Sequence, residues 1–247
     1  MPVGRYIYGF IEEPKRKEFS FTGIDGKKVY PFNYQDLAAV LSEAEVIEYD
    51  PTRVNLLAHT HVLEEIAKEH LILPMSFGII AENEEKVAEL LRQNYLEFRR
   101  ELKMLKGKIE LGVKVLWIED AVVKEMESRG KDFQEFKKKI VESSVKEDQN
   151  TKLKVGRLVE SIVTEWEKKY VQKIYSSLQE IATDSRLNQP IGIKMLLNSS
   201  FLVDKNKEKD FDKRVNELAQ KYENKLKFKY VGPVPPYNFV NIKLKGL

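Results

Sequence analysis

Apolar residues recur along this chain in two rhythms, a period of two and a period near 3.6, and the switches between them mark its elements. Residues 3–10 (VGRYIYGF) mix β-branched and aromatic side chains and predict a first strand. Gly23 to Gly26 signals a hairpin, flanked by Phe19 and Phe21 before it and by Val29, Tyr30 and Phe32 after it. The short apolar run 36–41 predicts another strand. Asp50-Pro51 reads as a helix start, with Asp50 as N-cap and Pro51 at the first helical position, opening a helix to about His70. Its apolar stripe is expected at Val54, Leu57, His61 or Val62, and Ile66. Residues 71–80 (LILPMSFGII) read as a buried strand, too short and too interrupted by Pro74 and Gly78 to cross a bilayer.

Val87, Leu91, Asn94, Phe98, Leu102 and Leu105 recur every three or four residues, so 84–105 is predicted as an amphipathic helix closed by Gly107. The strand expected over 108–118 then places Ile109, Leu111, Val113, Val115 and Trp117 on one side. A domain boundary is placed here, giving an N-terminal α+β domain over 1–106 and a C-terminal domain over 107–247. Residues 121–148 hold seven Lys/Arg and seven Asp/Glu, the pattern of a solvated helical insertion at about 119–149. One long helix is predicted over 150–182, with Val155, Val159, Ile162, Trp166, Tyr170, Ile174, Leu178 and Ile181 as its stripe. A turn at Asn188-Gln189-Pro190, strand alternation over 191–203, a helix over 207–222 and a strand over 225–231 follow. The Pro-rich tail, 232–247, is expected to pack back on the N-terminal domain. After the Ile109 strand, the order helix, strand or strand pair, helix, strand is that of a split βαβ arrangement. The fold class expected is therefore α+β with two domains, the second a modified ferredoxin-like unit.

Composition narrows the function classes. The 247 residues are 42% hydrophobic and 33% charged, which excludes an intrinsically disordered chain. Forty-two Lys plus Arg against 39 Asp plus Glu leave +3, too small an excess to mark a nucleic-acid or anionic-membrane binder. That excess falls within 204–229, where nine basic residues face six acidic ones; Lys225, Lys227 and Lys229 read as protection of a strand edge. The absence of cysteine rules out disulfides, thiolate zinc sites and cysteine nucleophiles, and fits a reducing cytosol. The first residues lack the pattern of an export signal, so none is expected.

Candidate chemistry is sparse. His59 and His61 lie two apart and point to different helix faces, and HTHVLEE departs from the zinc signature HExxH. His61 and Glu65 are one turn apart; with His70, these residues read as helix surface or packing. No nucleophile elbow, phosphate loop or dinucleotide fingerprint occurs. The chain is read as a non-enzyme with no cofactor and no metal, since catalysis needs converging groups. The segments least explained by core formation are Leu73-Pro74-Met75-Ser76-Phe77-Gly78 and Gly232-Pro233-Val234-Pro235-Pro236-Tyr237-Asn238-Phe239-Val240.

Those two segments also carry a resemblance, together with Tyr6-Ile7-Tyr8-Gly9, Asp36-Leu37-Ala38-Ala39-Val40, the His59 helix, Gly107-Lys108-Ile109-Glu110, Val113-Lys114-Val115 and Trp117. In this combination the chain resembles the gas vesicle protein F and L family (GvpF/GvpL). The resemblance implies a minor structural component and assembly factor of gas vesicles, the hollow protein-shelled buoyancy organelles. It implies binding to the very hydrophobic major shell protein (GvpA), limitation of its aggregation during nucleation, and a place on the gas-facing surface of the shell, within the cytoplasm. Other accessory gas vesicle proteins are further partners it suggests; it implies no catalysis, nucleic acid or membrane. Partner or interdomain contacts are expected at Tyr8, Gly9, Leu73, Pro74, Phe77, Gly78, Gly107, Glu110, Trp117, Gly232, Pro233, Pro235, Pro236, Tyr237 and Phe239. Without the resemblance, the competing reading is a ferredoxin-like small-molecule-binding or oligomerisation module.

Overall fold

The computed structural model describes residues 3–12, 19–128 and 149–245, so most of the expected helical insertion lies outside the described residues. The chain forms helices and two antiparallel sheets. By contact it divides into one unit comprising Met1–Glu110 and Pro233–Leu247, and a second comprising Leu111–Gly232. The cut thus falls after Glu110 rather than after residue 106, and the tail counts with the first unit.

In the first unit, β1 (Val3–Glu12) is central. It pairs antiparallel with β3 (Leu37–Glu45) on one side and with β4 (Ile72–Pro74) and β5 (Ile80–Ala81) on the other, and β2 (Val29–Tyr34) lies outside β3. The apolar run 71–80 is therefore two short strands, separated by a turn in which Gly78 takes φ +86°. The register of β1 against β3 skips a residue between Ile7 and Gly9. Such a bulge reverses which side chains face which side. Tyr6 before it, Tyr8 at it and Ile11 after it join the cluster beneath α1 (Arg53–Ala67), while Phe10 stacks on Phe98 of α2 (Glu84–Leu105) with ring centroids 4.1 Å apart. With a helix contacting each set, Tyr6 to Ile11 is an unbroken buried run.

The start of α1 corrects the expected cap. Thr52, not Asp50, is the N-cap: its backbone is extended and its hydroxyl accepts from the Asn55 N–H at 3.3 Å. The Asp50 carbonyl accepts from Thr52 N–H and from Asn55 Nδ2, which leaves Pro51 outside the helix. Thr52→Ala is expected to cost about 1 kcal/mol of stability, read as a lowered denaturation midpoint at unchanged m-value. The stripe is corrected as well. Val54 and Leu57 are 76% and 58% exposed, and the buried face is His59, Val62, Leu63 and Ile66. The expected stripe shares Val62 and Ile66 with the buried face and misses its first turn, because a histidine opens it. In α2 all six expected stripe residues are buried, Asn83 caps the start and Gly107, at φ +76°, follows the end.

In the second unit the order is β6 (Lys108–Trp117), α3 (Glu119–Ser128), α4 (Gln149–Trp166), a π-helical turn (Glu167–Val171), α5 (Gln172–Gln179), β7 (Asp184–Asn188), β8 (Met195–Asp204), α6 (Glu208–Lys221) and β9 (Leu226–Val234). Spatially the sheet runs β7-β8-β6-β9. The expected long helix is interrupted by the π-helical turn and stops at Gln179. Strand β7 was not expected: Asp184-Ser185-Arg186-Leu187-Asn188 lacks apolar alternation because it is an edge strand with little to bury. Within 191–203 only the stretch from Met195 is strand. Trp166, Phe201 and Phe211 are the largest fully buried side chains of this unit.

Candidate functional site

Of the fifteen residues expected to make contacts, all except Trp117 and Gly232 lie in the first unit. Six of them, Tyr8, Gly9, Leu73, Pro74, Phe77 and Gly78, lie on β1 or on the 73–78 segment that pairs with it and packs against it. Gly9 faces Pro74 across the β1–β4 ladder and Phe10 faces Leu73, and the Met75 N–H continues the pairing to the Tyr8 carbonyl at 2.8 Å. A Cβ on Gly9 would stand 2.5 Å from the Leu73 carbonyl oxygen and 2.8 Å from Ile72 Cγ1. Because the first obstacle is backbone, Gly9→Ala is expected to cost about 1–3 kcal/mol by overpacking. Thermal unfolding of the purified variant measures that loss.

Beneath this ladder the two tyrosines of the YIYG segment close a buried polar chain. Tyr6 Oη lies 2.9 Å from His59 Nδ1, and His59 Nε2 lies 3.2 Å from the Met75 carbonyl. A carbonyl only accepts, so Nε2 carries the proton and Nδ1 accepts from the Tyr6 hydroxyl. Tyr6 in turn accepts from the Gly78 N–H at 2.9 Å. The chain therefore runs Gly78 N–H to Tyr6 O–H to His59, and on to Met75, tying β1, α1 and the 73–78 segment together. Burial holds the His59 imidazole well below its ordinary value of 6.5, at about 4, against a smaller opposing effect of its bond to Met75. Burial also raises the Tyr6 phenol, so both groups are neutral at pH 7. Tyr8 stacks on His59, accepts from the Ile24 N–H at 2.8 Å and meets Ser42 Oγ at 2.9 Å. Phe77 packs edge-on against both Tyr6 and His59.

The tail is held by two side chains of the same unit. Glu110, 2% exposed, accepts from the Asn238 N–H at 2.9 Å and from Asn238 Nδ2 at 2.5 Å. Asn94 behaves like a strand residue toward Lys245, donating Nδ2–H to its carbonyl and accepting its N–H, both at 3.0 Å. Between them, Phe239 and Val240 donate to the Pro236 carbonyl, which folds the tail so that Pro235, Pro236 and Phe239 are buried while Tyr237 stays partly exposed.

His61 lies 4.0 Å from Glu65 on the exposed side of α1, whereas His59 is buried against Tyr6 and Met75, so the two histidines point to different helix faces. Among the described residues, no group of three or more His, Asp or Glu is placed to hold a metal. No helix among the described residues is long and apolar enough to cross a membrane. The arrangement around β1 is thus a fixed scaffold of motif segments, with its polar groups turned inward to one another. Tyr6, Ser42, Asn94 and Asn238 carry no catalytic signature in sequence. Only the combination of an internal Asn on an otherwise apolar stripe and paired tyrosines on one strand hints at them.

A family model described as gas vesicle synthesis protein GvpL/GvpF matches residues 4–241. The chain belongs to this family. The resemblance read in the sequence is thereby borne out, and a gas-vesicle-related role comes with it. The chain is 27% identical over 245 residues to gas vesicle protein F of a Nostoc species, covering 98% of this chain and all of that one. It is 31% identical over 209 residues to gas vesicle protein F of a Streptomyces species, covering 83% and 84% of the two chains. The crystal structure of GvpF from an Anabaena species superposes with a TM-score of 0.76 at 27% identity, covering 97% of this chain and 99% of that chain. The GvpL/GvpF match spans both units and includes every motif segment described above.

Proposed function

We propose that this chain is a minor structural component and assembly factor of gas vesicles, which binds the hydrophobic major shell protein and limits its aggregation during nucleation. The observation that carries the reading is the family match over 4–241, nearly the whole chain. Two physical features support it. The motif segments build a rigid, internally satisfied scaffold rather than a reactive cleft, as suits a protein that acts by binding. Apolar side chains nonetheless stand in solvent, among them Val54 and Leu57 on α1, where a soluble partner of a shell subunit would offer them. The place of action is the vesicle, on the gas-facing surface of its shell, and the chain works without catalysis. We also read the second unit as a modified ferredoxin-like module: chain order β6-β7-β8-β9 against spatial order β7-β8-β6-β9, with helices after the first and third strands, supports it.

The test is static light scattering of the shell protein diluted from denaturant, with and without this chain at equal molarity. Suppressed scattering is expected. Scattering that rises identically in both samples contradicts an assembly role.

A further inference from the structure

The face of α4 turned away from its buried residues Ile162 and Trp166 borders an apolar groove of about 630 Å3. Leu153, Gly156, Val159 and Val163 line one wall, with Trp117 and Ile193 opposite. Trp117 is fixed in place by its indole N–H, which donates to the Ile193 carbonyl at 2.9 Å, and Ile193 itself is 90% exposed. Gly156 has no positive φ and, among the described residues, no neighbour that a Cβ would touch. Among the described residues nothing requires a glycine there, although glycine inside a helix costs about 1 kcal/mol relative to alanine. Its bare backbone suits a close approach from outside.

Charge on the rim selects the visitor. Arg157 and Glu160 flank the groove, exposed, and neither forms an ion pair among the described residues. We propose that this face docks a second copy of the chain, α4 against α4, antiparallel about a two-fold axis midway between these two residues. That symmetry sets Arg157 against Glu160 of the partner subunit and Glu160 against Arg157 of the partner subunit, two opposite-charge contacts from one operation. It also lays Leu153 of each copy beside Thr164 of the other. A parallel, in-register pairing would oppose like charges and is disfavoured. The inference concerns self-association and stands apart from shell-protein binding.

Sedimentation velocity of the full chain from about 1 to about 100 μM tests it. A concentration-dependent dimer is expected. Arg157→Glu and Glu160→Arg should each weaken it at least about tenfold, and the double charge swap should restore the constant to within about threefold of the starting protein. Gly156→Ala should raise the melting temperature while weakening the dimer, opposite signs that a purely local role for the glycine does not produce. All three positions are exposed, and far-UV circular dichroism checks each variant's fold. A monomer across the whole range overturns the proposal, as does a double swap that fails to restore association. It is overturned equally if the chain stays monomeric and added shell protein shields Trp117 from a fluorescence quencher.

Discussion

Removal of Pro233–Leu247 is expected to destabilise the first unit by about 4 kcal/mol, roughly 8–15 °C in melting temperature. Burying Phe239 contributes about 2–3 kcal/mol of this. The rest comes from Glu110, whose carboxylate is buried and loses both donors from Asn238 when the tail is absent. Asn238→Ala removes one of these two donors, since the backbone N–H stays and only the Nδ2 donor is lost. It should cost about 1 kcal/mol, and Glu110→Gln combined with it should cost less than the two single changes added together, because the pair is coupled. Equal melting temperatures for the full and shortened chains would show that the tail is not held by these contacts.

The second large effect is an acid sensitivity centred on His59. Its pKa is lowered from 6.5 to about 4 by burial, so between these values the unfolded chain takes up a proton that the folded chain refuses. Stability is full above pH 6.5, declines as pH falls toward 4 and levels off below it. A shift of this size corresponds to about 3 kcal/mol. Chemical denaturation at pH 7.5 and pH 4.5 reads it as a difference between the native chain and His59→Gln, in which carboxylate titration is common to both. The variant should be less stable at pH 7.5, having lost the fixed donor and acceptor of the imidazole, and should lose less on acidification. An identical pH dependence in the two proteins contradicts a neutral, buried His59.

How much of this was legible in sequence depends on where each element spends its side chains. Helix α2 was legible in its bounds and its stripe, because all six expected positions face one side and a glycine closes it, while the Asn83 cap and the buried Leu90 and Glu101 were not named. In helix α1 the expected stripe met the buried face at Val62 and Ile66 but not at Val54 and Leu57, since that face opens with a histidine whose partners, Tyr6 and Met75, lie 53 and 16 residues away. Strand β7 was missed because an edge strand has no alternating apolar set to display. The bulge that turns Phe10 toward α2 left no trace either: it depends on the register with β3, a long-range property. Motif residues such as Gly9, Pro74 and Glu110 stood out as words in the sequence, but their reasons are three-dimensional, a close backbone approach for the glycine and a clasp on the tail for the glutamate. Their convergence in the first unit was beyond any periodicity argument.

The claim at the centre of this account is that the chain holds the shell subunit directly. Co-expression of the two proteins, followed by affinity capture on this chain and size-exclusion chromatography of the eluate, tests it most plainly. The account predicts that the shell protein elutes with the chain in one soluble peak. A shell protein found wholly in the insoluble fraction, with the captured chain eluting alone, would contradict it.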